Sequence, residues 1–264
     1  MSLLELKNVT KSYRQGKLFG KNRNVEILHG INLSIERGRC MGLLGESGCG
    51  KSTSGRIILG LERCEKGVVS YKGQDIWSLD KGAWRTFRRN AQVVFQNSAG
   101  AVNPRFRAWE IIAEPLSAFE KLSEEELRNR AGQLLERVGL SKKDLDKLPG
   151  KFSGGELQRI CIARAIALNP EFIVLDEAVS ALDMLNQSLV LELITELKRE
   201  TDTAFLFISH DLRVLLKISD SLAVMEAGYI TSCAEDIAEL ESPDFVVDPV
   251  FKSLAQAVLP AEPG

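Results

Sequence analysis

The chain has 264 residues, enough for one large domain or two small ones, and its 44% hydrophobic and 27% charged residues are those of an ordinary globular protein. A formal charge of −2 supplies no basic field to recruit nucleic acid, and five scattered cysteines without a C-x-x-C pair indicate neither a zinc site nor a disulfide framework, which points to a reducing compartment. No apolar run approaches the ~18 residues that span a bilayer, and Met-Ser-Leu-Leu-Glu-Leu-Lys is charged too early for a secretory signal, so work at a membrane would need another anchor.

In chain order, residues 3–10 and 25–36 alternate apolar with polar positions, the period of half-buried strands, with a basic, glycine-containing loop over 14–24 between them. Cys40–Leu44 reads as a short apolar strand, followed at once by a glycine-rich turn and a helix over Ser52–Leu61. Gly67–Tyr71 and Gln74–Trp77 flank Lys72-Gly73, a hairpin signal. The basic–aromatic stretch Trp84–Arg89 reads as a solvated helix face, and Ala91–Phe95 as a further apolar strand. Asn97–Arg107 is irregular, and residues 108–168 read as helical. Ser123-Glu-Glu-Glu126 is a capping box, Leu127, Ala131, Leu134, Leu135 and Val138 recur at helical spacing, and Gly139 stops the run. The helix after Gly155 is expected to bury Leu157, Ile160, Cys161, Ala165 and Leu168 on one face and to end at Asn169-Pro170. Strands return at Phe172–Leu175 and Ala204–Ile208. The helix between them, 184–200, sets Leu185, Leu189, Leu193 and Leu197 at fourfold spacing, the order of a parallel βαβ unit. The segment after Ile230 has no strong pattern. The whole reads as an α/β core interrupted by a helical insertion from about 97 to 160.

Three stretches carry chemistry. Gly45-Glu46-Ser47-Gly48-Cys49-Gly50-Lys51-Ser52 fits G-x-x-x-x-G-K-[ST] in full, between an apolar strand and a helix. Its glycines turn backbone N–H groups toward α and β phosphates, Lys51 brings a cation to the β and γ phosphates, and Ser52 offers a hydroxyl to Mg²⁺. Cys49, at a helix N-terminus beside Lys51, is expected to have a lowered thiol pKa. Phe172-Ile-Val-Leu-Asp176-Glu177 is a buried strand with two carboxylates at its C-terminal end, where ligands sit in open α/β sheets. Asp176 is placed to hold Mg²⁺ and Glu177 to polarise an attacking water. The third stretch, Phe152-Ser153-Gly154-Gly155-Glu156, opens a helix with bare N–H groups, a second anion site on a chain that already has one.

Together these motifs resemble the ATP-binding cassette (ABC) family over nearly the whole chain. The resemblance implies an α/β P-loop NTPase core over 1–96 and 161–230, with an N-terminal antiparallel β-subdomain. It also implies an inserted α-helical subdomain over 97–160 and an extension over 231–264. It assigns Tyr13 to stacking on adenine, Gly45–Thr53 to the phosphates, and Gln96 to Mg²⁺ and the attacking water. Ser180–Asp183 becomes the loop after the catalytic acid, Glu177, and His210 a contact of the γ-phosphate. It also answers why there are two anion sites. Two subunits pair head to tail, and the Ser153 helix of one closes over ATP held by the other, so that hydrolysis removes the anion from the helix dipole and the halves part. Glu156 stands where the family often has Gln, an extra charge expected to weaken that attraction slightly, and Ala178-Val179 replaces a frequent Pro-Thr.

Phe95-Gln96 followed by Asn103-Pro104-Arg105 is similar to the bacterial dipeptide, oligopeptide and nickel importers. Glu177-Ala-Val-Ser180 and Gln256-Ala-Val-Leu-Pro260 resemble the nickel branch, with the peptide branch as the alternative. The implied partners are a second ATPase subunit (a paralogue or a copy), two transmembrane permease subunits and an extracytoplasmic binding protein. The implied place is the cytoplasmic face of the inner membrane, peripherally. The cofactors are ATP and Mg²⁺, with no nucleic acid. A soluble ABC ATPase acting on DNA or ribosomes would carry a coiled-coil insertion or two cassettes, and a regulator without turnover would not keep Glu177.

Overall fold

The structure, a computed structural model, describes residues 2–15 and 23–237. Most of the 14–24 loop and the Gln256–Pro260 stretch therefore lie outside the described residues. The chain begins with β1 (Ser2–Gln15), β2 (Arg23–Glu36), β3 (Cys40–Leu44) and α1 (Lys51–Ile58), then β4 (Lys66–Tyr71) and β5 (Gln74–Asp75). It continues through α2 (Lys81–Asn90), β6 (Ala91–Val94), α3 (Ala108–Phe119), α4 (Glu124–Arg137) and α5 (Gly154–Ile166). It closes with β7 (Phe172–Asp176), α6 (Met184–Glu200), β8 (Ala204–Ser209), α7 (Leu212–Ile218), β9 (Ser221–Glu226) and β10 (Tyr229–Ala234). Contacts divide these elements into two compact units, Asp80–Thr203 and the remainder.

The first unit holds residues through Leu79 and those from Ala204 on. Its antiparallel sheet runs β2-β1-β4-β5, and the alternation seen in sequence buries Leu4, Leu6, Leu28, Ile31, Leu33 and Ile35. β4 and β5 pair Ser70 with Asp75 and Tyr71 with Gln74, so the hairpin lies where Lys72-Gly73 placed it. A second set of strands runs β10-β9-β3-β8, with β3 parallel to both β8 and β9. Phe205 and Phe207 of β8 are fully buried, as are Ile57 and Ile58 of α1, which fixes the glycine-rich turn between β3 and α1 on a rigid base. The last two strands are a correction to the sequence reading. β9 is almost continuously buried, a pattern that periodicity does not separate from a buried helix. Its antiparallel partner β10 extends the fold to Ala234, past the point where no pattern was expected.

In the second unit β6 and β7 run parallel, pairing Ala91 with Phe172 through Val94 with Leu175. Their C-terminal ends therefore emerge at one edge. Helices α3, α4 and α5 pack on each other, with Leu116, Ala167 and Leu168 buried beneath Phe119, Leu122, Leu127 and Leu134. Ser123 and Glu126 form the expected reciprocal cap of α4. In α2, Phe87 is buried, Arg85 donates to the Ala118 carbonyl and Arg89 pairs with Glu120, so the basic face is tied to α3. The five residues expected to be buried after Gly155 are buried, but not as a single face. α5 is buried almost all round, including Gln158, Ile162, Ala163 and Ile166, not along one face. On α6 the fourfold leucines do not share a face: Leu193 and Leu197 are buried, whereas Leu185 is 72% and Leu189 40% exposed. Each four-residue step overshoots a turn by about 40°, so the set winds around the helix. The true stripe is Val190, Leu191, Leu193, Ile194 and Leu197. Among the described residues no helix is long and apolar enough to cross a membrane.

Candidate active site

In the first unit, the glycine-rich turn between β3 and α1 is wound around Lys51. The lysine is only 4% exposed, and its Nζ donates to the carbonyls of Gly45 (2.7 Å) and Glu46 (2.8 Å). Those carbonyls solvate the ammonium without neutralising it, and a buried charge is costly unless paired. Gly50 caps α1 at φ 114°, with Leu28 Cδ2 only 2.7 Å from where a Cβ would stand, so no other residue fits. No side chain caps α1 and no acid sits in its first turn. Its leading N–H groups stand at the positive end of the helix dipole, matched to an anion.

Cys49 departs from expectation. Its side chain is buried in the turn, with Sγ 2.7 Å from the position a Gly45 Cβ would take. Burial pushes the thiol up, and Lys51 only partly offsets this. The neighbouring cation and helix terminus are thus outweighed by desolvation, and Cys49 is not an activated thiol.

Tyr13 projects from β1 half-exposed, its hydroxyl donating to the Glu62 carboxylate. Burial and then Glu62 raise the phenol. His210 follows β8 and is exposed, and the next residue, Asp211, caps α7 by accepting from the Arg213 N–H.

In the second unit, the adjacent ends of β6 and β7 bring Gln96 to Glu177 across 81 residues of sequence: Gln96 Nε2 donates to Glu177 Oε2 at 2.9 Å. Asp176 precedes at the strand end. Glu177 has φ 48°, a left-handed conformation costing a non-glycine residue about 1–3 kcal/mol. Ser180 holds its carbonyl by both N–H (3.2 Å) and Oγ (3.0 Å). The strained turn thereby directs the carboxylate at Gln96. With its amide nitrogen committed, Gln96 keeps its oxygen as an acceptor.

Ser153 caps α5. Its N–H donates to Glu156 Oε2 (2.7 Å), and its Oγ accepts from the Glu156 N–H (3.3 Å). The Ser153 N–H holds the Glu156 carboxyl below its usual range. Asp183 caps α6 by accepting from the Asn186 N–H (2.9 Å), and Asn186 Nδ2 donates to its other oxygen (2.7 Å). Asn186 in turn fills the space above Gly155, where a Cβ would come within 2.6 Å of Asn186 Cγ. The structure thus joins the Ser153–Glu156 helix start to the Ser180–Asp183 loop. Sequence reasoning missed Asn186; an amide three residues past an Asp cap was the available signal.

The groups the sequence offers for Mg²⁺ are, each by itself, oxygen donors: the Ser52 hydroxyl in the first unit, and the Gln96 amide and Asp176 carboxylate in the second. That suits Mg²⁺, which keeps waters and phosphate oxygens as its other ligands. No group of three or more His, Cys, Asp or Glu side chains gathers into a metal cage among the described residues.

The family model described as ABC transporter matches residues 28–180. The nickel import ATP-binding protein NikE of Brucella suis biovar 1 is 43% identical over 265 residues, covering 100% of this chain and 97% of the relative. The proteins of the same name from Rhodospirillum rubrum and Escherichia coli K12 are each 40% identical, covering 99% and 100% of this chain and 93% and 97% of their own. Among solved structures, the dimeric post-hydrolysis ATP-binding cassette MJ0796, bound to ADP and Pi, superposes with a TM-score of 0.78 at 30% identity. It covers 88% of this chain and 97% of that one. The cbiO1 structure from Clostridium perfringens, part of the ABC transporter complex cbiONQ, shares the fold at TM-score 0.77 and 22% identity, covering 97% and 96%.

Proposed function

The chain belongs to the ABC transporter family, and from that membership we propose that it is the ATP-hydrolysing subunit of a nickel importer. It is an ATP-binding cassette with a P-loop α/β fold. The cargo is inferred from relatives named for nickel import that match essentially end to end, and this favours nickel over peptide. Within the proposal, 1–96 and 161–230 form the nucleotide core, 97–160 the helical part and 231–264 an extension.

The roles follow from each group's chemistry. Lys51 offsets charge on the β and γ phosphates, and the N–H groups of Gly45–Thr53 bind their oxygens. Tyr13 stacks on adenine. Ser52, Gln96 and Asp176 would hold Mg²⁺, which would supply positive charge beside the phosphates. Glu177 accepts the proton of the attacking water, and Gln96 orients that water. His210 contacts the γ-phosphate. Ser153, Gly154, Gly155 and Glu156, with Asp183 behind them, address the nucleotide of a second ATPase subunit. The likeness to a dimeric cassette supports that arrangement. Two permease subunits and an extracytoplasmic binding protein complete the importer, with this chain peripheral on the cytoplasmic face.

The observation that carries the hydrolytic reading is the 2.9 Å bond from Gln96 to a Glu177 held in left-handed backbone. Glu177→Gln keeps the shape and removes the base. Turnover should fall by about 10²–10⁴-fold while ATP binding persists, and sedimentation with MgATP and each candidate second subunit should reveal a trapped dimer. Normal turnover would remove Glu177 from its role. Uptake of radioactive nickel by cells expressing the chain with its permease tests the cargo.

A further inference from the structure

Tyr13 sits in a network that ties β1 to α1. Its hydroxyl donates to the carboxylate of Glu62. Glu62 is not held by Tyr13 alone: Arg56 Nε lies 2.8 Å from its Oε1, and Lys11 Nζ lies 3.8 Å from its Oε2. Arg56 reaches Thr53 Oγ1 at 3.5 Å, and the Glu62 N–H donates to the Arg56 carbonyl at 3.3 Å. Lys11, two residues before Tyr13 on the same side of the strand, lies 5.4 Å from the ring centroid and donates to the Arg63 carbonyl at 2.8 Å. The tyrosine ring is thus pinned at its hydroxyl end and approached by a cation, yet 36% of the residue remains exposed.

We propose that Glu62 is a positioning residue that holds the Tyr13 ring in the orientation in which it stacks on the nucleotide base, and that, through Arg56 and Thr53, it keeps this platform in register with the phosphate-binding helix. The inference rests on the reading of Tyr13 as the adenine platform. A tyrosine free to rotate must surrender that freedom on binding, whereas one already fixed by a partner of its hydroxyl does not. Glu62 suits the task because its carboxylate accepts from Tyr13 of β1, pairs with Arg56 of α1 and lies within ion-pair reach of Lys11.

The test is equilibrium binding of ATP and of inorganic tripolyphosphate, which has no base, to the full chain. Glu62→Ala should weaken ATP about fivefold, the worth of one net hydrogen bond, and leave tripolyphosphate unchanged. Glu62→Gln, which keeps an acceptor but loses the charge, should weaken ATP less. Tyr13→Phe should match Glu62→Ala, and the double variant should be no worse than either. The proposal is overturned if both Glu62 variants bind ATP like the parent, if ATP and tripolyphosphate weaken alike, or if the Tyr13 and Glu62 effects add. Should Tyr13→Ala itself leave ATP binding unchanged, the platform reading fails first, and that outcome differs from every one above.

Discussion

Gly155→Ala tests whether the start of α5 and the loop before α6 form one packed unit. The added Cβ would stand 2.6 Å from Asn186 Cγ and 2.9 Å from Asn186 Cβ. Carbon atoms settle near 3.5 Å, so Asn186 or the helix end must retreat by about 1 Å. Asn186 has little room to do so, because its N–H and its Nδ2 are both engaged by Asp183. Overpacking of this kind costs about 1–3 kcal/mol, against a gain of up to about 1 kcal/mol from replacing a helical glycine. A net loss of about 1–2 kcal/mol should appear as a lower urea midpoint with an unchanged slope. Asn186→Ala removes the two nearest atoms, Oδ1 and Cγ, and keeps only the Cβ at 2.9 Å, while its backbone N–H keeps the Asp183 cap. The double variant should therefore recover part of the loss, the non-additivity expected of residues in contact. A Gly155→Ala chain as stable as the parent, or one that Asn186→Ala fails to rescue, would refute the contact and the coupling drawn from it.

Lys51→Ala should weaken ATP about 10- to 100-fold, the loss of charge-assisted bonds to phosphate, as read by nucleotide titration; binding like the parent's would mean that the buried ammonium serves only its two carbonyls. Glu156 predicts an acid dependence. Its folded pKa is lowered, so its stabilisation is fully present above the unfolded carboxylate value of about 4.3 and is lost as pH falls through the folded value. Unfolding measured between pH 7 and pH 2 should therefore show the stability gap between the parent and Glu156→Gln shrinking in the acid range, and a gap independent of pH would contradict the capping role.

The parts of the fold that were legible are those where local chemistry and tertiary packing agree. β1 and β2 alternate because one face of a sheet is buried, and β3 could be placed because a short apolar run is followed by glycines. Agreement breaks down wherever burial is decided by more than one neighbour. The helix α5 shows no clean face because it is surrounded, and β9 shows no alternation because it is covered on both sides. Cys49 follows the same logic at a single group. The sequence lists a cation and a helix terminus beside it, both favouring thiolate, but whether the sulfur faces solvent or the inside of the turn is a property of the turn, and desolvation wins. The left-handed φ of Glu177 belongs here too: a glutamate ending a strand does not announce strain, which appears only once Ser180 is seen holding its carbonyl.

Glu156 is the reverse case, a residue whose sequence context carried more than was taken from it. Set against a family pattern, it is a departure that adds negative charge where a phosphate should approach. Taken by local rules alone, Ser153-Gly-Gly-Glu156 is the same S-x-x-E box as Ser123-Glu-Glu-Glu126, and both form in the fold. The consequence for chemistry lies in the direction of the bonds. Glu156 turns its carboxylate back onto the Ser153 N–H, so much of its charge is spent within the helix start. Ser153 Oγ acts as acceptor toward the Glu156 N–H, so side chain and backbone of the two residues satisfy each other. An anion approaching this end of α5 therefore meets the positive end of the helix dipole, with the acid folded against the backbone. The substitution adjusts the strength of the second anion site without reversing its sign.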